Sequence, residues 1–588
     1  MSTTIAVHRL TQADLAALAT GRGGPSALRV LQAGQLGKHM LLLREVVRTA
    51  EALGGDEAGA ARRSYNVIAA AEAREPVITR RVLAYPPIGS WGVNCLAGLR
   101  AGVPAGEAGL AHLAAIGAVV ALRVGIACEL RVPAPGGRAV LPTLGVALVP
   151  AEHATVRVTA EAAAVHGGGA CVPVPDRPEL DAPGWQGLRR LSAEHAGVRL
   201  EVSLDDLDPF RDSEGLGVAP RLGAAEVAQW QGRLERVWRL LVDTAPGYAE
   251  AMASGLRCVV PLRQVEPGRG VSATSGHAFG AVFMTPPPDD LPFLVGLLHE
   301  YQHSKLNALL HLVDLHDGDD ARYYSPWRDD PRPLDGLLHG AYAYLAVADF
   351  WRLRAMADGR DGDRGRDLAR FEFLRWREAI VRSTRALHAS GRLTASGAAF
   401  VARMGAHARS WAAGTVPAQT RRWAQDALTD HRVAWRARNV RVDGAAADLL
   451  ARDWLAGRPP SARLVAATVR IRSPLPRSPL GVRNDRLEMV QRRLGGEAFS
   501  GGSIGDVAYA DGDFAAAAAA FRTRVAQEPD RAEAWAGLAL TDPAAGRWKA
   551  PELVAAVYRR VLARGLAAPD LDALSSWLAG VDVSVADW

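Results

Sequence analysis

Apolar positions recur every three or four residues over roughly the first 130 residues, as in "LRVLQAGQLGKHMLLLREVVRTAEAL", and this spacing predicts helices. From about residue 138 to residue 205 the pattern changes to alternation rich in β-branched residues, as in "ATVRVTAEAAAV" and "VRLEVSL", which predicts strands. The segment "ELDAPGWQGLRRLSAEHAG" between them has the composition of a loop. Helical spacing returns at about residue 223, where "AAEVAQWQGRLERVWRLLVDTAPGYAEAMASG" predicts one long amphipathic helix. The pattern therefore predicts an α+β fold that is predominantly α-helical.

The chain has 588 residues, which is long for one hydrophobic core, so we expect a multidomain protein. An extended, proline-rich stretch, "SPLPRSPLGVR", is typical of a linker. We predict an N-terminal helical region at 1–222 with a small β subdomain at about 138–205, a domain with a histidine motif at 223–410, a helical extension at 411–470, a linker at 471–503 and a helical tail at 504–588.

The tail carries a spaced set of aromatic and small residues that resembles one tetratricopeptide repeat, a helix pair of about 34 residues. These positions are Tyr509, Gly512, Phe514, Ala517, Phe521, Pro529, Trp535 and Leu538. An ordinary helical hairpin is the alternative interpretation. Because a single repeat cannot bury its own apolar face, we expect the tail to pack on the preceding domain or on a partner.

Composition and charge exclude several classes of function. The net charge of +6 comes almost entirely from arginines that are mixed with acids along the chain, so we expect no nucleic-acid binding. The four cysteines include no C-x-x-C pair, which excludes a cysteine zinc site of the usual spacing. The most apolar stretch is interrupted by His112 and Arg123 and is too short to span a bilayer. The N-terminus has no signal-like apolar run, so we expect a cytoplasmic protein without membrane contact.

One short motif, "LLHEYQHSKLNALLHL", gives the clearest indication of chemistry. His299 and His303 are four residues apart and project from one face of the predicted helix, so both can reach one cation. Imidazole at this spacing suits Zn²⁺ and also ferrous iron. Glu300 stands in the position of the general base of a zinc hydrolase. The alternative is that both histidines belong to a helical core and find their hydrogen-bond partners within it.

The surroundings of the motif favour the metal interpretation. Asp289 or Asp290 can cap the helix, and Val295, Leu306 and Leu310 extend the histidine stripe, which predicts that the pair faces the interior. A third ligand should come from a second apolar helix, "LDGLLHGAYAYLAVADFWRLRAM", packed on the first. His339 is the first candidate, because Gly340 beside it permits close approach of the two helices. The alternatives to His339 are the carboxylates of Asp335, Asp349 and Glu372.

Two chemistries fit these ligands. A zinc peptidase would use Glu300 as its base and "AFGAVFMT" as an edge strand that pairs with an extended peptide. Ferrous iron would instead leave open positions for 2-oxoglutarate and dioxygen. An arginine would anchor the far carboxylate of 2-oxoglutarate. The candidate residues for this co-substrate are Arg328, Arg332, Tyr323 and Tyr324. For each arginine, a loop salt bridge to Asp329 or Asp330 is the alternative.

Three segments together, "TSGHAFGAVFMT", "LLHEYQHSKLNALL" and "YYSPWRDDPRPLDGLLHGAYAYLAVADFWR", resemble the HExxH-type peptide β-hydroxylases that act on ribosomally made peptides. The phrase "VLAYPPIGSWGVNCLAGLR" extends the resemblance, which covers roughly residues 1–400. It implies an iron(II)- and 2-oxoglutarate-dependent oxygenase that hydroxylates the β-carbon of a residue in a precursor peptide.

The resemblance also implies roles for individual residues. His299, His303 and His339 would hold iron, and Glu300 would orient a ligand rather than act as a base. Ser275, His277 and Phe279 in the first segment are candidates for contact with the peptide. The tail lies outside this resemblance, and it would bind the leader segment of the peptide or cap the fold. The remaining hypothesis is a non-catalytic scaffold that binds peptide and holds a structural metal. None of the three hypotheses fixes the oligomeric state.

Overall fold

The computed structural model describes residues 8–585 except 108, 160–161, 213–214, 265, 267–269, 287–288, 358–361, 413, 471–483, 498–500 and 542–547. The proline-rich stretch at 473–483, in the first half of the predicted linker, therefore lies outside the described residues. The chain divides into two compact units, Met1–Val313 and Asp314–Trp588. Helices dominate both units and the sheets are small, which confirms the predicted fold class.

The first unit combines helices with most of the strands. Its helices are α1 (Gln12–Ala19), α2 (Pro25–Leu53), α3 (Asp56–Arg74), α4 (Pro76–Leu83), α5 (Pro86–Arg100), α6 (His112–Val124), α7 (Ala224–Thr244), α8 (Pro246–Gly255) and α9 (Asp290–Leu310). Its strands are β1 (Cys128–Pro133), β2 (Arg138–Leu141), β3 (Gly145–Leu148), β4 (His153–Val158), β5 (Ala163–Gly167), β6 (Ala170–Pro173), β7 (Trp185–Gly187), β8 (Arg190–His195), β9 (Val198–Leu204), β10 (Cys258–Pro261), β11 (Ser272–Ala273) and β12 (Ala281–Met284).

These strands form three sheets, with the orders β1-β4-β5-β6, β2-β3-β7 and β11-β12-β10-β9-β8. The third sheet is mixed. Strand β10 runs parallel to β9 and β12, with Cys258 opposite Ala281, whereas β11 is antiparallel to β12, with Ser272 opposite Met284. Helix α9 packs against β11 and β12 of this sheet and against α2 and α7. The third sheet is therefore the support of the histidine helix.

Helix α6 belongs to a large apolar cluster of the first unit, because almost all its side chains are small or aliphatic and nearly all of them are buried. The most apolar stretch of the sequence is therefore a buried helix. Its His112 is buried between the rings of Trp91 and Phe210. Within the described part of the chain, no helix is long and apolar enough to cross a bilayer.

Two predictions for this unit are wrong. The segment at 179–197, expected to be a loop, contains strands β7 and β8, whose alternating Leu191 and Ala193 are buried while the residues between them are exposed. The single long helix expected over 224–255 is two helices, because Pro246 lacks a backbone N–H and starts a new helix after Ala245.

The second unit is almost entirely helical. Its helices are α10 (Leu334–Met356), α11 (Gly362–Ala389), α12 (Ala395–Ser410), α13 (Ala418–Asn439), α14 (Gly444–Leu455), α15 (Asp485–Gly495), α16 (Ile504–Ala510), α17 (Phe514–Gln527), α18 (Ala532–Thr541), α19 (Pro551–Leu562) and α20 (Leu571–Leu578). Strands β13 (Val440–Val442), β14 (Leu464–Val469) and β15 (Asp582–Val585) form one sheet of order β13-β14-β15.

Helices α16, α17 and α18 contain the repeat-like residues of the tail except Gly512 and Pro529, which lie in the turns between these helices. Helix α18 packs on α13, and the buried Arg436 of α13 forms an ion pair with the buried Glu552 of α19. A buried ion pair leaves an uncompensated charge if either partner is removed. The tail therefore packs on the preceding helical extension, which is one of the two alternatives that the sequence left open.

Candidate metal centre

Helix α9 is fixed in place at both ends and along one side. At its N-terminus, Asp290 accepts hydrogen bonds from Arg236 of α7, at 2.7 and 2.9 Å. Tyr301 donates to the carbonyl of Ala251 at 2.7 Å, and the buried Lys305 donates to the carbonyl of Gly21 at 2.6 Å. Burial lowers the pKa of Lys305 to about 7. A helix held at three points presents the histidines on a rigid support.

The two histidines of the motif converge. The Nε2 atoms of His299 and His303 are 3.0 Å apart, with the two ring planes at 81°. Two imidazole nitrogens that bind one cation at about 2.0–2.1 Å lie roughly 2.9 Å apart at a right angle and roughly 3.4 Å apart at a tetrahedral angle. The observed separation falls between these values, so the pair fits a common cation. A hydrogen bond between the two imidazoles is the competing interpretation of the same distance.

The environment of the pair favours neutral imidazole, the form that binds metal. Desolvation by the surrounding protein lowers the pKa of His299 to about 4, although the residue keeps partial exposure. The prediction that the histidine stripe faces the interior is wrong in part. Val295, His299 and His303 are all half-buried, and the fully buried face of α9 lies beside them. Both histidines therefore keep part of their surface exposed.

Glu300 is buried and both of its carboxylate oxygens are occupied. Oε1 accepts a hydrogen bond from the hydroxyl of Ser272 at 2.7 Å, and Oε2 accepts one from the hydroxyl of Thr274 at 2.7 Å. The Thr274 hydroxyl also lies 2.9 Å from the carbonyl oxygen of Glu300. These contacts fasten α9 to the outer strand of the sheet, immediately beside His299. In this structure the carboxylate positions the helix.

The predicted edge strand is not at an edge. Strand β12, which contains most of "AFGAVFMT", lies between β10 and β11, and β11 is the outer strand. The prediction that β12 is an edge strand is therefore wrong, because β10 pairs with all four of its residues on one side and β11 pairs with Phe283 and Met284 on the other. Sheet order depends on pairing between distant segments, which local alternation does not encode.

The three candidate peptide-contact residues lie in the turn between β11 and β12. Ser275 is buried and its hydroxyl accepts a hydrogen bond from the backbone N–H of His277 at 3.2 Å. Phe279 is half-buried. The carbonyl of His277 approaches Gly89 of α5 so closely that a Cβ at that position would be 2.3 Å from it. The turn is thus held against α5, and its contact with a peptide stays a prediction.

His339 belongs to the second unit, at the start of α10. Its Nε2 is 3.6 Å from a carboxylate oxygen of Asp335, which is also 3.3 Å from Nε2 of His316. Burial lowers the pKa of His339. Gly340 makes room for the indole of Trp327, since a Cβ at Gly340 would be 2.0 Å from its Nε1. The role of His339 as third ligand stays a prediction.

The carboxylate alternatives to His339 also lie in the second unit. Asp349 accepts two hydrogen bonds from Arg352, at 2.9 and 2.6 Å. Glu372 accepts one from Gln491 at 2.6 Å. Among the residues that the structure describes, no three or more His, Cys, Asp or Glu side chains form a group that could hold a metal ion.

The four candidate residues for 2-oxoglutarate have partners within the second unit. Arg328 and Arg332 both donate to Asp330, at 2.9 and 3.1 Å, as in the salt-bridge alternative. The hydroxyl of Tyr323 donates to Asp319 at 2.5 Å. The hydroxyl of Tyr324 lies 3.0 Å from Nδ1 of His431. Binding of 2-oxoglutarate by these residues stays a prediction.

Sequence reasoning missed the two hydroxyls that hold Glu300. Ser272 and Thr274 are two residues apart in an extended segment, so their side chains share one face. This spacing in "VSATSG" was a readable signal that two hydroxyls point the same way. Their partner lies 26 to 28 residues further along the chain and has no local signature.

Comparison with models of known protein families gives no match, and comparison with curated proteins gives no relative. The resemblance to the peptide β-hydroxylases therefore rests on the sequence motifs of this chain alone.

Proposed function

We propose that the protein is an iron(II)- and 2-oxoglutarate-dependent oxygenase that hydroxylates the β-carbon of a residue in a ribosomally made precursor peptide. The observation that carries the choice between the two enzyme hypotheses is the state of Glu300. A general base needs a carboxylate oxygen that can accept a proton from bound water. Both oxygens of Glu300 already accept hydrogen bonds from Ser272 and Thr274, which favours an oxygenase over a zinc peptidase.

The chain contributes ligands, rigidity and access. His299 and His303 offer two converging Nε2 atoms, and the metal interpretation is supported by their 3.0 Å separation. A ferrous ion there would supply oxidative chemistry in which one oxygen atom of dioxygen enters the peptide C–H bond and the other enters succinate as 2-oxoglutarate loses carbon dioxide. Lys305 and Tyr301 keep the ligand helix from shifting when the centre is loaded. Glu300 then acts as a positioning residue.

Several parts of the proposal come from the residue pattern of the sequence. They are the third ligand, His339, the packing of the histidine helix on a second apolar helix, and the binding of 2-oxoglutarate by Arg328 or Arg332. Recognition of the peptide's leader by a tetratricopeptide-like tail is a further part, and it comes from the repeat-like residues of the tail. The alternatives are a zinc peptidase and a non-catalytic peptide-binding scaffold.

The test is anaerobic reconstitution of the full chain with Fe(II), followed by titration with 2-oxoglutarate and visible absorption. We expect a weak charge-transfer band that is absent in His299→Ala and retained in Glu300→Gln. The control is His311→Ala on the same helix, because His311 contacts Gln35 and Lys38 at 2.9 and 3.3 Å rather than the paired histidines.

The outcomes separate the hypotheses. A band that depends on His299 supports the oxygenase. Absence of the band, together with one tightly held zinc and peptide hydrolysis that Glu300→Gln abolishes, would establish the peptidase. A tightly held metal with neither signature would indicate the scaffold.

A further inference from the structure

The second unit contains a cavity of about 450 Å³ that the proposed function does not use. Its walls include the aromatic rings of Trp327, Trp376 and Phe521, and both arginine and carboxylate side chains also line it. Cavities of this size hold small ligands, and the polar groups in their walls fix the orientation of the ligand. The kind of ligand depends on which charged side chains still have unmet hydrogen-bonding groups.

Most of the arginines in the cavity wall are already paired. Arg438 donates to Asp329 at 2.8 Å and also to Glu533. Arg486, which is buried, donates to Asp506 at 2.9 Å and also to Asp430. Arg524 and Arg531 pair with Glu528 at 3.0 and 3.1 Å near the surface. These arginines serve the fold, since each has a carboxylate in hydrogen-bonding range.

Arg375 differs from the others. It is 8% exposed, and its Nε and Nη1 have no hydrogen-bond partner among the residues that the structure describes. Its nearest carboxylate is Glu372, 3.5 Å from Nη2, and that carboxylate already accepts a hydrogen bond from Gln491. A buried guanidinium with unmet donors is costly unless a ligand completes it, because burial removes the water that would otherwise bind those N–H groups.

The guanidinium of Arg375 is held in a fixed orientation. Its central carbon lies 3.8 Å from the ring centroid of Trp376, which itself stacks on Tyr344 at 4.0 Å and 28°. Trp327 stacks on the other side of Tyr344 at 5.1 Å. Stacking covers a face of the guanidinium, whereas its N–H groups point outward in its plane. The arrangement leaves the edge of the guanidinium for an acceptor in the same plane.

We propose that this cavity binds a ligand with one carboxylate on an apolar body, with the carboxylate at Arg375 and the body against Trp327 and Trp376. Planar carboxylates match the fork of a guanidinium. A phosphate dianion fits less well, because Asp430, Asp485 and the other acids in the wall would repel a second negative charge. The site needs no metal, so it is independent of the proposed oxygenase activity.

The test uses the full chain in the presence of a metal chelator and titration calorimetry with three probes. Benzoate represents a free small acid, acetyl-Ala-Glu-Ala-amide represents a carboxylate carried by a peptide, and inorganic phosphate is the comparison. We expect at least one carboxylate probe to bind, and Arg375→Gln to weaken that binding roughly tenfold or more, since a charge-assisted hydrogen bond is lost. Whichever carboxylate binds more tightly identifies the source of the ligand.

The matched control is Arg524→Gln, which removes a guanidinium from the same wall that is 40% exposed and already paired with Glu528. The affinity of this variant for the carboxylate probe should stay within about twofold of that of the unchanged protein. Absence of carboxylate binding, binding of phosphate alone, or equal binding by Arg375→Gln would overturn the proposal. If Arg375→Gln does not fold, Arg375→Lys replaces it, because it keeps the charge and loses the planar fork. Weaker binding by Arg375→Lys then supports the proposal, and unchanged binding overturns it.

Discussion

Glu300 in the first unit and Arg375 in the second are both buried charged side chains, but their surroundings differ. Each carboxylate oxygen of Glu300 accepts a hydroxyl hydrogen bond, from Ser272 and Thr274. Arg375 has two nitrogens without a hydrogen-bond partner among the described residues. A buried charge whose partners are all within the chain stabilises the fold, whereas one with unmet donors is stabilised by an external acceptor.

The two surroundings also differ in the kind of ligand that they offer to bind, a cation beside Glu300 and an anion at Arg375. Beside Glu300, the histidine pair offers lone pairs to a cation, and each oxygen of the carboxylate already accepts one hydroxyl hydrogen bond. At Arg375, the cavity offers N–H donors to an anion. The first site therefore calls for metal titration and the second for carboxylate titration.

The largest expected effect is loss of metal binding at the histidine pair. His299→Ala and His303→Ala should each lower the affinity for Zn²⁺ or Co²⁺ by roughly 100-fold or more, because each removes one of two converging ligands. Competition with a chromophoric chelator measures the affinity. His311→Ala is the control and should bind as the unchanged protein does. If the unchanged protein binds no metal, the 3.0 Å contact is a hydrogen bond between imidazoles and the metal interpretation fails.

The next prediction compares how much the two buried charged residues, Glu300 and Arg375, contribute to the free energy of unfolding. Glu300→Ala should lower the free energy of unfolding by about 2–4 kcal/mol, because it leaves two half-buried hydroxyls without their acceptor and opens a cavity. Arg375→Gln should lower it by less than about 1 kcal/mol, since two of its nitrogens make no hydrogen bond that the substitution can remove. Urea denaturation followed by circular dichroism measures both. Equal losses for the two variants would contradict the distinction between them.

The sequence predicted the elements around the site better than their connections. Helix α10 runs over Leu334–Met356, the residues that the apolar pattern predicts, because Pro333 marks its start and the pattern is long. The histidine pair was predictable for a similar reason, since four-residue spacing on a helix fixes which side chains meet. The hydroxyl partners of Glu300 were not, because they depend on tertiary pairing.

Strand β8 shows why a local pattern can mislead. Its buried residues are Leu191 and Ala193, and its exposed ones include Arg190 and Glu194, so the apolar half of the alternation is short and includes a small residue. Such a strand is stable only when β9 pairs with it along its length. Arg375 was missed for a different reason, because nothing in "LRWREA" distinguishes an arginine with two unmet N–H groups from the many whose hydrogen bonds are met.

A smaller effect concerns the buried imidazole of His112, which is neutral in the folded chain. Burial lowers the pKa of His112 to about 3, so the residue is neutral in the folded chain. In the unfolded chain His112 binds a proton below a pH of about 6.5, and the folded chain does not until about 3, so stability falls as pH decreases through this window. We expect His112→Phe to reduce the loss of unfolding free energy between pH 6.5 and pH 4.5 by roughly 2 kcal/mol. Urea denaturation at both pH values measures it, and an unchanged slope would contradict it.

The smallest expected effect tests whether the hydroxyls of Ser272 and Thr274 each contribute to holding Glu300. Ser272→Ala should lower the free energy of unfolding by about 1 kcal/mol, because Oε1 loses its donor while Oε2 keeps Thr274. Combined with Glu300→Gln, the loss should be smaller than the sum of the two single losses, since both variants remove the same contact. Additive losses would mean that Ser272 acts through another partner. Urea denaturation of the unchanged protein, the two single variants and the double variant measures the coupling energy between Ser272 and Glu300. This energy reports the Ser272 contact separately from the contact of Thr274, which also reaches the backbone of α9.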